Sequence, residues 1–143
     1  MIETIRHGEA ILAIVVRSGY RRDGIEFFTP PEFSQQLGYM NRPAGHVIAP
    51  HVHNPVAREV TYTNEVLFIK SGRVRVDFYD QQRAHVRSAE LGAGDVILLA
   101  SGGHGFEMLE DCEMIEVKQG PHVGDADKTR FDPPPHPPRK PGR

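Results

Sequence analysis

Hydrophobic and polar residues alternate along much of the chain with the two-residue period of a β-strand. In the clearest case, Val74, Val76 and Phe78 alternate with Arg73, Arg75, Asp77 and Tyr79. Successive side chains of a strand point to opposite faces, so this pattern predicts one buried face and one polar face. Further apolar runs of strand length lie at 10–16, 66–69, 96–100, 106–109 and 114–117.

Turn-forming residues separate these runs. Ser71–Gly72 and Gly92–Ala93–Gly94 carry the glycines that tight turns favour, and Glu110–Asp111 predicts a further turn. Many short strands joined in this way are typical of an all-β sandwich or barrel with antiparallel sheets.

One short helix is predicted after Thr29. This threonine would cap it, Pro30 would be its first residue, Glu32 would complete a capping box, and Gly38 would end it.

The last apolar run has two possible orientations. Met114, Glu116 and Lys118 share one face of a strand, and Ile115 and Val117 share the other. The simplest interpretation buries the isoleucine and valine and leaves the charged face in water.

Composition narrows the class of protein. The chain has 143 residues, with 17 basic and 19 acidic side chains and a formal net charge of −2. This balance argues against a nucleic-acid partner, which would favour a strongly basic face.

The single cysteine, Cys112, excludes an internal disulfide and predicts an inert thiol. The apolar run Ala10–Val16 is too short for a membrane span, so we expect a soluble, cytoplasmic protein without a membrane partner.

The organisation predicted is one domain over residues 1–131 and a proline-rich tail over 132–143. The tail holds six of the twelve prolines, which favour an extended segment without helix or strand. No Gly-x-Ser-x-Gly or Gly-x-Gly-x-x-Gly sequence is present, so a serine hydrolase and a dinucleotide-dependent oxidoreductase have no support.

The candidate chemistry lies in the histidines. His51 and His53 are two residues apart, so both imidazoles would project from one face of a strand. Glu65 opens the apolar run that ends at Gly72, and His104 lies in a glycine-rich sequence. Imidazole and carboxylate are ordinary ligands of divalent metals, although two surface histidines on an edge strand would give the same local pattern.

These residues resemble the cupin superfamily. Its first motif is Gly, five residues, His-x-His, a short gap, Glu, six residues and Gly, and its second runs from Gly-Asp to a histidine. The matching positions are Gly45, His51, His53, Glu65 and Gly72, then Gly94, Asp95 and His104. Two departures stand out: eleven residues separate His53 from Glu65, where Glu59 becomes a competing ligand, and Ala100 replaces a usual proline.

The resemblance implies a cupin-type jelly roll, also called a double-stranded β-helix. It implies that His51, His53, Glu65 and His104 bind a divalent transition metal inside the barrel. The ligand types suit Fe, Mn, Ni, Cu or Zn and do not choose among them. Four protein ligands would leave a coordination position open for substrate.

The function expected from this resemblance is a metal-dependent enzyme that acts on a small polar, sugar-like substrate as an oxygenase or as an isomerase or lyase. Alternatives are a metal-free sugar epimerase, in which a histidine is the general base, and a non-catalytic module that binds a metal or small ligand. Candidate substrate contacts are Tyr39, Arg42, Tyr62 and Glu107, with Arg58 and Lys118 as weaker ones. We also expect a homodimer, for which Ala10–Val16 would be a suitable edge strand.

Overall fold

The structure is a computed structural model that describes residues 1–135. Its described part contains ten strands and a single 3₁₀ turn (Gly124–Asp127). The strands are β1 (Ile2–His7), β2 (Ala10–Val16), β3 (Gly24–Phe27), β4 (Gly38–Asn41), β5 (Glu65–Ser71), β6 (Arg73–Tyr79), β7 (His85–Gly92), β8 (Val96–Leu99), β9 (Gly103–Met108) and β10 (Glu113–Lys118).

Antiparallel pairing joins these strands into three sheets. The largest has the order β1-β2-β8-β5-β10, a second has the order β7-β6-β9, and β3 and β4 form a separate hairpin. The predicted all-β, antiparallel class is therefore confirmed, and each of the six predicted runs overlaps a strand; β1, β3, β4 and β7 were not predicted. Pairing alone does not assign the arrangement to the cupin jelly roll.

The core lies between the two larger sheets. Val74, Val76 and Phe78 of β6 face Leu67 and Ile97 of the five-stranded sheet, and all five are almost fully buried. The hydrophobic effect contributes ~1.5–3 kcal/mol for each large aliphatic or aromatic side chain that is fully buried. The apolar face of β6 therefore packs the three-stranded sheet β7-β6-β9 against the five-stranded sheet.

One lateral side of this sandwich is closed by charged side chains. Arg17 follows β2 and donates a hydrogen bond to the backbone oxygen of Glu90 on β7 at 2.7 Å. On the same side, Arg87 of β7 forms an ion pair with Glu3 of β1 at 3.2 Å. On the other side, the outermost strands β9 and β10 each pair with one neighbour only among the described residues.

The helix predicted after Thr29 is absent, and that prediction is wrong. Pro31 follows Pro30, and a residue before proline avoids the helical backbone conformation. The side-chain amide of Gln36 donates to the backbone oxygens of Pro30 and Phe33, at 3.0 and 2.9 Å, in place of helical N–H groups. Residues 29–37 consequently form a compact irregular turn.

The orientation chosen for the last strand is also wrong. Ile115 and Val117 of β10 are 52% and 58% exposed, whereas Met114 and Lys118 are half-buried. The register places Lys118 opposite Glu65 and Met114 opposite Ile69, so this face continues the inner face of β5. Ile115 and Val117 are apolar, but this did not place them on the buried face, because β10 lies at the edge of the sheet.

The strand Ala10–Val16 was suggested as a dimer edge, and the topology contradicts that suggestion. This strand, β2, lies between β1 and β8 and has neighbours on both sides. Among the described residues, no helix is long and apolar enough to cross a membrane. The predicted proline-rich tail, 132–143, lies outside the described residues from position 136 onwards.

Candidate functional site

Glu65 and His104 meet between the two sheets. Glu65 is the first residue of β5 and shares its inner face with Leu67, while His104 of β9 lies opposite the core residue Phe78. Their side chains face each other, with His104 Nε2 at 3.3 Å from Glu65 Oε2. Only 11% of the glutamate side chain and 29% of the imidazole are exposed.

The charge of Glu65 is maintained despite its burial. Hydrogen bonding from His104 lowers the pKa of the Glu65 carboxyl below its usual value, and this effect outweighs the loss of hydration, which raises it. The positive charges of Lys118 and Lys128 add to the lowering. Glu65 is therefore a carboxylate at neutral pH that can orient the His104 ring.

A cavity of about 1030 Å³ opens beside this pair. Its lining includes His104 and Phe106 from the inner face of β9 and Glu107 from the opposite face. The cavity therefore passes around the free edge of β9. Its size and its mixture of aromatic and charged side chains suit a small polar organic molecule.

A polar network borders the cavity on the outer face of β6. Arg75 binds both carboxylate oxygens of Asp77, at 3.0 and 3.1 Å, and Asp77 is only 6% exposed. Ser88 donates to the same carboxylate at 2.5 Å and lies 2.8 Å from His85 Nε2. Hydrogen bonding with Asp77 also raises the pKa of Arg75, so the pair remains ionised and rigid.

The chain after β10 forms one wall of the cavity. The Asp127 carboxylate accepts a hydrogen bond from Thr63 at 2.6 Å and lies 3.4 Å from Lys118 Nζ. Further along, the ring of Phe131 packs edge-on against Tyr79 with 5.2 Å between ring centres. These three contacts hold the segment 127–131 across the sandwich.

The structure does not gather the four predicted metal ligands. It joins Glu65 to His104, but His51 and His53 lie in an exposed segment outside any strand, with their rings 5.2 Å apart. Within residues 1–135, no three His, Cys, Asp or Glu side chains lie together in a way that could hold a metal ion. In this arrangement the residues do not fit the predicted three-histidine, one-carboxylate site. The competing ligand Glu59 borders a smaller cavity.

The substrate candidates fall into two groups. Tyr62 and Glu107 line the main cavity, and Glu107 also binds Arg75 at 2.7 Å. Tyr39 and Arg42 lie outside its lining, where Tyr39 packs against Tyr20 in the hairpin region. Of the weaker candidates, the exposed Arg58 donates a hydrogen bond to the backbone oxygen of Val56, and Lys118 binds Asp127.

Sequence reasoning missed several residues of the cavity. Asp77 and Tyr79 occupy the strand face that was predicted to meet solvent, yet both are buried. Two features of the sequence could have indicated that this face is buried: the aromatic Tyr79, and the opposite charges of Arg75 and Asp77 two residues apart. No sequence signal indicated that Asp127 and Phe131, distant in the chain, would return to this side.

Comparison with models of protein families, with curated proteins and with solved structures gives no match.

Proposed function

We propose that the protein binds a small polar molecule in the 1030 Å³ cavity and catalyses an isomerisation or epimerisation by proton transfer at His104. The observation that supports this proposal is the Glu65–His104 pair, which combines an oriented imidazole with a carboxylate at the cavity wall. The epimerisation corresponds to the metal-free epimerase that the sequence analysis gives as an alternative. The proposal places it on a cupin-type jelly roll.

The chemistry follows from the orientation of the imidazole. With Nε2–H directed at the Glu65 carboxylate, a neutral ring carries its lone pair on Nδ1. Nδ1 can accept a proton from a carbon next to a substrate carbonyl, and the imidazolium formed is stabilised by Glu65. Protonation of the opposite face of that carbon by a second donor, such as a solvent water, gives an epimer, and the imidazolium then loses its proton to solvent; return of the proton from His104 to the neighbouring carbon accompanies isomerisation.

The test is hydrogen exchange between solvent and substrate. The protein, treated with a chelator, is incubated in D₂O with a panel of monosaccharides, sugar phosphates and 2-hydroxy or 2-oxo acids, and deuterium incorporation is followed by NMR. We expect exchange next to a carbonyl in one class, and a decrease of ~10²–10⁴-fold in His104→Ala, the range typical of a lost general base. Glu65→Gln should decrease the rate without abolishing binding.

His122→Ala is the matched control, because His122 is an exposed histidine outside the cavity. It should retain the wild-type exchange rate and the wild-type unfolding midpoint. Equal exchange by wild type and His104→Ala would contradict the proposed role of His104.

The second candidate is a divalent-metal enzyme in which His51 and His53 join Glu65 and His104. It is favoured by the motif spacing and by the facing rings of His51 and His53. The exchange assay distinguishes the two candidates. The metal enzyme is supported if the chelated protein becomes active only after addition of Fe(II), Mn(II), Ni(II), Cu(II) or Zn(II). This activity should also require both His51 and His53.

A further inference from the structure

We propose that the smaller cavity, which Glu59 borders, binds a small organic ammonium ion that also carries hydroxyl groups, the chemistry shared by amino alcohols and amino sugars. The cavity measures about 490 Å³, a size typical of sites for small molecules. This proposal concerns a second site and does not depend on the reaction assigned to His104.

Segments that are distant in the chain form this cavity. Glu9 lies in the turn between β1 and β2, Glu32 lies in the irregular turn that replaces the predicted helix, and Glu59 lies in the exposed segment before β5. Tyr62 borders both this cavity and the main one, so the two cavities are neighbours. The smaller cavity is therefore a product of the tertiary structure.

The charge of the lining favours a cation. Its described residues include the three glutamates Glu9, Glu32 and Glu59, and no lysine, arginine or histidine. All three side chains are exposed, and none has a hydrogen bond or an ion pair with a described residue. Three uncompensated negative charges around one concave opening raise the local concentration of cations.

The arrangement favours an organic cation over a metal ion. Within residues 1–135, no three carboxylate, imidazole or thiol side chains lie together in a way that could hold a metal, so the charges are spread around the cavity. An organic ammonium ion suits this spacing, because its amine can contact a carboxylate while its carbon skeleton packs on Ile11 and Val60 of the lining. Phe33 and Tyr62 also line the cavity, and aromatic rings attract ammonium groups.

A buried polar side chain gives a second, independent indication of a ligand. Asn64, which directly precedes β5, is only 5% exposed and borders the cavity. Its amide oxygen accepts a hydrogen bond from Ser34 at 3.1 Å, whereas its amide nitrogen has no partner among the described residues. That nitrogen is not fully enclosed by protein, so it faces the open space of the cavity.

The unpaired amide of Asn64 requires a hydrogen-bond acceptor in the ligand. An ammonium group does not supply one, since it only donates hydrogen bonds, but a hydroxyl oxygen does. The hydroxyl groups of Ser34 and Thr61 in the same lining can bond to further hydroxyl groups. The glutamates and Asn64 therefore select different parts of one molecule, its amine and its hydroxyl groups.

The experiment is a titration of the isotope-labelled protein with glucosamine, followed by ¹H–¹⁵N NMR slightly below neutral pH, where the sugar amine is protonated. We expect saturable shifts of the Asn64 side-chain amide and of the backbone amides of Ser34 and Thr61. Glucose is the matched ligand, because a hydroxyl group replaces the ammonium group, and it should cause no saturable shift. Cyclohexylamine, which lacks hydroxyl groups, should bind more weakly than glucosamine.

Substitutions of the glutamates test the charge. Glu32→Gln and Glu59→Gln should each weaken glucosamine binding by up to about fivefold, the range expected for one exposed ion pair. The triple variant Glu9→Gln, Glu32→Gln, Glu59→Gln should not bind it. Glu113→Gln, at an exposed glutamate of β10 outside this lining, is the matched control and should retain the wild-type affinity. Circular dichroism verifies that each variant is folded.

Several results would overturn the proposal: no saturable shift with glucosamine, equal shifts with glucose, or unchanged affinity in the triple variant. Shifts confined to His104 and its neighbours would also overturn it, since they would place the amine in the main cavity. Each result is a binding measurement, so it is separate from the outcome of the exchange assay for catalysis.

Discussion

Two turns of this fold contain a glycine with positive φ, and the space around each glycine differs. Gly72, between β5 and β6, has φ of +79°, and a Cβ atom at this position would overlap the carbonyl oxygen of Asp111. Gly8, between β1 and β2, has φ of +59° with open space around it. The two turns therefore require glycine for different reasons: a close approach of backbone at Gly72 and conformation alone at Gly8.

Gly72→Ala should destabilise the protein by at least about 2 kcal/mol, because overlap with the Asp111 carbonyl adds to the ~1–2 kcal/mol cost of left-handed backbone. Gly8→Ala should cost only the conformational part. Urea unfolding followed by circular dichroism measures both losses. Equal losses in the two variants would show that the contact with Asp111 is unimportant.

Single elements depend on a few side-chain contacts for their position. The β3–β4 hairpin belongs to neither large sheet, and its Glu26 carboxylate binds the Tyr20 hydroxyl at 2.5 Å and Arg22 at 2.7 Å. Tyr20 also packs edge-on against Phe28 and Tyr39. These contacts connect the hairpin to the segment before it, where strand pairing is absent.

The Glu26 contact should make stability depend on pH. Hydrogen bonds from Tyr20, and then from Arg22, lower the pKa of Glu26 below its ordinary value of 4.5. A carboxyl whose pKa is lower in the folded state stabilises the fold above the unfolded pKa, and this contribution is lost as pH falls through the folded pKa. Wild type should therefore lose more stability than Glu26→Gln between pH 7 and pH 3.

The measurement is the midpoint of thermal unfolding at several pH values for both proteins. Glu32→Gln is a suitable control, since Glu32 is exposed and has no hydrogen bond among those found in residues 1–135. Parallel pH profiles for wild type and Glu26→Gln would contradict the assigned interaction.

At the scale of the whole molecule, the two sheets form a sandwich that is closed on one side and open on the other. Arg17 and Arg87 bind across the closed side, while β9 and β10 border the open side where the cavity lies. The chain after β10 crosses this opening and is held there by Phe131 against Tyr79. Closure of the cavity therefore depends on contacts between residues far apart in the chain.

Phe131→Ala should lower stability by about 1–2 kcal/mol, less than the 3–5 kcal/mol typical of a fully buried phenylalanine, because Phe131 is only half-buried. It should also accelerate cleavage by trypsin after Lys128 and Arg130, because the segment is released from the sandwich. Val123→Ala, an exposed apolar position in the same segment, should change neither property. Limited proteolysis and urea unfolding report the two effects, and an unchanged cleavage rate in Phe131→Ala would exclude an anchoring role.

The part of the fold that could be predicted is the part encoded in local pattern. The alternation of Val74, Val76 and Phe78 predicted a buried strand face, and glycine at position 72 predicted the turn that precedes it. Glu65 and His104 belong to the predicted cluster of four ligands, and the structure places these two in contact with each other and the rings of His51 and His53 beside each other. The helix after Thr29 failed because local side-chain bonds from Gln36 competed with it.

The sequence by itself determined the strands that carry the six predicted apolar runs, the turns between them, and the buried face formed by Val74, Val76 and Phe78, because side-chain alternation and backbone conformation are local properties. Only the tertiary structure decided that Lys118 and Glu116 share the inner face of the sheet with Glu65, that Asp77 is buried, and that His51 and His53 lie in an exposed segment outside any strand. Those features depend on which strands lie at sheet edges and on where distant segments return. These features are fixed by strand pairing and packing between distant segments, so the sequence of a single strand does not predict them.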